Sequence, residues 1–180
     1  ELQKRSDQGI TCFNHRACAY MDIFDKPKII YPDCALEMRA VYDDKCFYGT
    51  MAMYFLPYDP LILAILNSQL FDWYARMTFA SFGDPWNRGR IIFKSIYMRN
   101  VPIPKRNNIA DNIISLVNKI LSISNNADYL DNQDKQSKVK KLEKEIDQLV
   151  YKLYELTPEE IKIIEEFGKD YIDYAKRTKR

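Results

Sequence analysis

Residues 61–104 read LILAILNSQLFDWYARMTFASFGDPWNRGRIIFKSIYMRNVPIP, and this stretch decides the fold. Its opening, 61–71, is almost all apolar, rich in Leu, Ile and Ala, and free of Gly and Pro, which predicts a largely buried helix. Residues 82–89 are dense in Gly, Pro and Asn and read as a loop. Residues 91–98 resume with Ile, Phe and Tyr, which predicts a strand. Val101-Pro102-Ile103-Pro104 then stops any regular ladder, because proline has no N–H to donate. A core helix and a strand thus bracket one exposed loop. That loop and its flanks carry Arg76, Arg88, Arg90, Lys94, Arg99, Lys105 and Arg106 against the lone acid Asp84, with Trp86, Asn87 and Tyr97 among them. Arginines, an amide and aromatics on a loop held by a rigid scaffold are the groups that read a nucleic acid. The plain alternative is a solvated basic face, the commoner fate of surface arginine.

Upstream, residues 3–9 are polar and turn-like. Residues 27–33, PKIIYPD, give a short strand signal bounded by prolines, and 38–41 give a second. Asp43-Asp44-Lys45 reads as a turn. Residues 46–56 are aromatic and Met-rich with partial alternation, which predicts a strand with Gly49 as a bulge or a close approach. Downstream, Ile109, Ile113, Leu116, Val117, Ile120 and Leu121 recur at helical spacing. Val139, Leu142, Ile146, Leu149 and Leu153 form a heptad seam of about two heptads, an exposed apolar edge unless something covers it. Thr157-Pro158-Glu159-Glu160 combines a capping Thr, a first-turn Pro and an acid three residues on, a helix start, with Ile161, Ile164, Phe167 and Tyr171 as its stripe. The expected fold is therefore α+β. A mixed, β-rich lobe built around a buried helix (1–104) is followed by an antiparallel helical lobe (105–180).

The totals narrow the chemistry. A chain of 180 residues, 47% hydrophobic, can bury a real core. A net charge of only +2 means that any affinity for a polyanion must come from local patches. No apolar run approaches the ~20 residues of a membrane span, and no signal peptide is visible at residues 1–16. The four cysteines show no CxxC spacing, which points to reduced thiols and a cytoplasmic setting. Cys12, His15 and Cys18 are zinc-type ligands, but their spacing fits no common finger. The chain opens on Glu1 rather than Met and reads as a fragment of a longer one. His15 is the single histidine, with no triad motif around it. Neither GxGxxG nor GxxxxGK[ST] occurs. Asp84-Pro85-Trp86 has part of the Asp/Asn-Pro-Pro-Tyr/Trp motif of DNA amino-methyltransferases, but lacks the second proline and reads as a turn. A binding module fits better than an enzyme. A helical protein-interaction or assembly module without DNA binding, using the heptad seam, stays open beside the nucleic-acid reading.

Five segments in order carry a resemblance. They are RSDQG at 5–9 with Asn14-His15-Arg16, PKIIYPD at 27–33, LAILNSQLFDWY at 63–74, FKSIYMRNVPIP at 93–104, and EIDQLVYKLYELTPEEI at 145–161. Together they resemble the TaqI-like C-terminal specificity domain, the target-recognition part of type IIG restriction–modification enzymes and related adenine-specific DNA methyltransferases. His15 departs from the aliphatic residue expected at that turn. The resemblance implies sequence-specific recognition of double-stranded DNA on behalf of an upstream methyltransferase domain, with which this chain would be partnered. That domain would hold S-adenosylmethionine, so no cofactor is expected here. The 105–180 region would correspond to spacer helices. If the mixed lobe lies on duplex DNA with the loops around 39–48 and 83–90 in a groove, contacts are expected from Arg5, Arg16, Arg39, Lys45, Tyr48, Asn87, Arg88, Arg90 and Lys94. Of these, Arg88, Arg90 and Asn87 suit base edges, and Arg5, Arg16, Lys45 and Lys94 suit phosphates.

Overall fold

Two small antiparallel sheets pivot on Asp33. Its N–H donates to the Ala52 carbonyl at 2.9 Å in one sheet, and its carbonyl accepts from the Phe93 N–H at 2.7 Å beside the other. The computed structural model describes residues 2–4, 6–14, 21–49, 52–84 and 89–177. In chain order, β1 (Lys28–Pro32) and β2 (Cys34–Ala35) flank the pivot, followed by β3 (Val41–Asp43) and β4 (Met53–Pro57). Helices α1 (Pro60–Leu66) and α2 (Gln69–Thr78) lead to β5 (Ser81–Phe82), β6 (Arg90–Ile92) and the single turn α3 (Ser95–Met98). The chain ends in α4 (Asn108–Ser124), α5 (Gln133–Leu153) and α6 (Pro158–Arg177). The fold is α+β.

The first sheet has the order β3-β1-β4 and the second β2-β6-β5. Both β3 and β4 run antiparallel to β1, from Ile30 opposite Val41 on one side and Phe55 on the other. They are therefore parallel to each other, and the connection between them must cross β1. Cross-strand partners share a face. Ile29, Tyr31, Tyr42, Tyr54 and Leu56 face the core, while Lys28, Ile30, Val41, Asp43, Met53 and Phe55 lie on the opposite face, where Lys28 and Asp43 are nevertheless buried.

Four sequence expectations need correction. The helix expected over 61–71 breaks at Asn67-Ser68. Ser68 caps α2, its Oγ accepting from the Phe71 N–H at 3.2 Å, and the Asn67 side chain bonds both backbone groups of Ala40 at 3.0 and 2.9 Å. The strand expected over 91–98 ends at Ile92, because Phe93 turns its N–H to Asp33 and Ser95 starts α3. The strand expected over 46–56 is only Met53–Pro57. There Gly49 does make a close approach: a Cβ on it would collide with the Phe55 ring. The second upstream strand falls at Val41–Asp43, overlapping the 38–41 signal only at Val41.

The helical region packs onto α1 and α2 rather than standing apart. Ala110, Ile113, Leu116 and Val117 of α4 are buried in the same cluster as Leu61, Leu63, Ile65 and Leu66 of α1. The heptad seam is not exposed: Val139, Ile146 and Leu153 are buried, and α5 lies along α4. The capping box at α6 forms as read. Glu160 Oε2 accepts from the Thr157 N–H at 2.8 Å, and Thr157 Oγ1 accepts from the Glu160 N–H at 3.3 Å.

One carboxylate at this junction sets a pH dependence. Asp147 of α5 accepts from the Gln69 N–H at the start of α2, at 2.9 Å. Burial, with Glu143 and Glu165 nearby, pushes it up to about 6 despite that bond. Its native pKa lies above the unfolded value. The native state therefore loses relative stability as pH rises from about 4 through about 6. Asp147→Asn keeps the acceptor and removes the buried charge. It is expected to raise stability at neutral pH by about 1–2 kcal/mol and to flatten that slope, read from urea unfolding across the pH range.

Candidate nucleic-acid interface

The basic stretch around the central loop is thinner than its sequence. Arg76 is a core residue, 3% exposed. Its guanidinium bonds Asp72 at 2.9 Å and the Leu36 carbonyl at 2.5 Å, and lies 5.7 Å from the Phe167 ring centroid. Arg106 pairs with Asp59 at 2.7 Å, and Asp59 also caps α1. Arg99 bonds back to the Ser95 carbonyl. Arg90 and Lys94 are exposed.

An open groove of about 630 Å³ lies between the two sheets. It brings Arg39 and Arg90 to one site from positions 51 residues apart in sequence. Arg39 leads into β3, its side chain 81% exposed and bonded to Glu37 through Nε at 2.7 Å. Arg90 opens β6, opposite exposed Phe82 of β5. Cys34 lies in the same groove. Burial pushes its thiol up, while the Arg90 and Lys94 cations pull it down; Lys94 follows Phe93, whose N–H bonds the Asp33 carbonyl next to Cys34. The groove floor is apolar, formed by Ile30, Pro32, Val41 and Met53.

Lys45 and Tyr48 lie on the same face of the first sheet, toward its Lys28 end. They belong to the connection that crosses β1. Its first turn is held by Asp43, whose oxygens accept from the N–H groups of Lys45 at 2.9 Å and Phe47 at 3.0 Å. The Lys28 ammonium sits 2.5 Å from Asp43 and donates to the Phe24 carbonyl at 2.9 Å. Burial pushes the Asp43 carboxyl up, but Lys28 and the two N–H groups outweigh it and hold it below the usual carboxylate range. Tyr48 stacks on Phe24 with ring centroids 4.7 Å apart, and Phe24 meets Phe55 edge-on at 5.0 Å.

Arg5, Arg16, Asn87 and Arg88 lie outside the described residues, as do His15, Cys18, Pro85 and Trp86. The neck of the 84–89 loop is described. Gly83 has φ +81°, and the Gly89 N–H donates to the Asp84 carbonyl at 2.6 Å. A Cβ on Gly89 would sit 2.8 Å from the Gly83 carbonyl carbon and collide with Asp84 backbone, so only glycine closes this neck. Among the described residues, no group of three or more His, Cys, Asp or Glu is placed to hold a metal ion. Among them, too, no helix is long and apolar enough to cross a membrane.

Sequence reading missed the outward apolar residues Leu36, Val41, Met53 and Phe82. Val41 and Met53 look like ordinary strand residues until the register shows which face they take, and Phe82 stands in the stretch that reads as a loop. No curated protein matches the chain. A family model described as the TaqI-like C-terminal specificity domain matches residues 4–103, more than half of its length, and on that match the chain belongs to this family.

Proposed function

We propose that this chain recognises a specific sequence in double-stranded DNA and directs an adenine-N6 methyltransferase or restriction enzyme to it. Family membership supports the reading. The observation that carries it at residue level is that Arg39 and Arg90 line one open groove, with Lys94 just beyond β6 and with Lys45 and Tyr48 on the same sheet face. Arg90 is assigned to a base edge, where a bidentate contact is worth about 1–3 kcal/mol of discrimination. Lys45 and Lys94 are assigned to phosphates, which give salt-dependent affinity without sequence information. Asn87 and Arg88, which fall between Asp84 and Gly89 in the sequence, are assigned to bases, and Arg5 and Arg16 to phosphates. In this reading residues 1–104 touch DNA and 105–180 act as a spacer toward an upstream methyltransferase domain, in the cytoplasm. S-adenosylmethionine would be held in that upstream domain. No residue of this chain is assigned to it, and none is assigned a catalytic step. The heptad seam on which a protein-assembly role depends is buried within the chain, which favours DNA over that alternative.

Quantitative gel shifts across a salt series test the reading. Lys94→Ala is expected to weaken all duplexes equally and to lower the salt slope by about one contact. Arg90→Ala is expected to relax preference at one base pair. Failure of every duplex to shift at low ionic strength would overturn the reading.

A further inference from the structure

We propose that the groove between the two sheets reads thymine methyl groups in the major groove of DNA, through Val41 and Met53. This inference rests on the DNA-recognition reading above and names the chemistry of its site. The register is the first ground. Val41 is cross-strand to Ile30 and Met53 to Pro32, so these four side chains share the face opposite the core. The connection across β1 stacks Tyr48 on Phe24 and Phe55 at the Lys28 end of that face, and its Gly49 lies against Met53, where a Cβ would sit 3.1 Å from the sulfur. Val41 is left 59% exposed and Met53 43% exposed, both lining the groove.

The rim is the second ground. Arg39, paired with Glu37, and Arg90 line the same groove, and Lys94 stands two residues beyond the end of β6. An apolar floor with Arg90 and the Arg39–Glu37 pair on its rim suits a polyanion that itself carries an apolar feature. The thymine C5-methyl is the apolar group that base edges present, and it lies in the major groove; the minor groove shows only acceptors and the guanine amino group. The major groove is wide enough to admit a two-stranded β-ribbon. Contact with the methyl would thus fix the groove that is read as well as the base.

The test uses the intact protein. Sequences are enriched from randomised duplexes, then resynthesised with deoxyuridine replacing thymine one position at a time, which removes the methyl alone. Affinity is expected to fall about three- to five-fold at one or two positions, the transfer cost of one methyl. Val41→Thr with Met53→Gln is expected to bring the thymine duplex to the affinity of the deoxyuridine duplex with the melting temperature unchanged. Equal binding of both duplexes, while Arg39→Ala or Arg90→Ala still weakens them, overturns this inference and leaves the DNA reading standing. Methyl sensitivity that survives the double substitution overturns the assignment to this groove. Enriched sites without a sensitive thymine do the same. Absence of any binding overturns both readings.

Discussion

A chain ending at Pro104 is expected to show no cooperative unfolding transition. Removing 105–180 strips α4 and α5 from α1 and α2. Ile113 and Val117 are at most 4% exposed, and Leu116 is 6% exposed, all in one cluster with α1. Fully burying each such side chain contributes about 1.5–3 kcal/mol, so these three alone contribute about 5–9 kcal/mol. A domain of this size is stable by only about 5–15 kcal/mol in total. Polar links go as well. Tyr151 donates to Gln69 at 3.2 Å, Tyr154 to the Pro102 carbonyl at 2.7 Å, and Arg106 pairs with Asp59 at 2.7 Å. Urea unfolding followed by far-UV circular dichroism checks this: a broad, shallow change for 1–104, against a sharp transition for the whole chain. A sharp transition in the truncated chain would mean that the cluster is two cores. Loss of the transition would mean that residues 4–103, the segment matched by the family model, are not a unit of folding on their own.

Much of the fold was legible where the signal is local. The Thr157–Glu160 box depends on four consecutive residues, and it forms at the position read. The Asp43-Asp44-Lys45 turn was legible for the same reason, since an Asp side chain reaches its own backbone two residues on. The break at Asn67-Ser68 was not legible. Apolar composition runs through it, and what stabilises it is Ala40, 27 residues away, bonded by the Asn67 side chain. Arg76 misled for a related reason. Its partner Asp72 stands at i−4 on the same helix and could be read, but burial came from the Leu36 segment and Phe167, which could not. At the site, sequence named Arg39 and Arg90 as separate candidates. Their meeting follows from the register of two sheets and a crossing connection, all of it non-local, and so does the outward aim of Val41 and Met53.

Breaking the Lys28–Asp43 pair is expected to destabilise the protein by about 3–5 kcal/mol, because it leaves a buried charge without its partner. Lys28 is 0% exposed and Asp43 5%. Lys28→Met strands the carboxylate. Asp43→Ala strands the ammonium and also frees the N–H groups of Lys45 and Phe47. The second variant should therefore loosen the turn that carries Lys45 and Tyr48, and weaken DNA binding beyond what its stability predicts. Lys28→Met with Asp43→Leu should recover most of the stability, since an apolar pair of similar volume often matches a buried ion pair. It should not recover binding, because leucine cannot hold the turn. The pH profile gives an independent check. The native pKa of Asp43 is depressed, so its contribution is fully present above the unfolded carboxylate value, about pH 4, and is lost as pH falls through the lower native value. Wild type should therefore weaken in acid, and the apolar double variant should lack that component of the loss. Urea midpoints for the four proteins at neutral and acid pH decide the matter. An Asp43→Ala protein as stable as wild type would mean that Lys28 finds another partner, and that the turn is held by the stacking of Tyr48 on Phe24 instead.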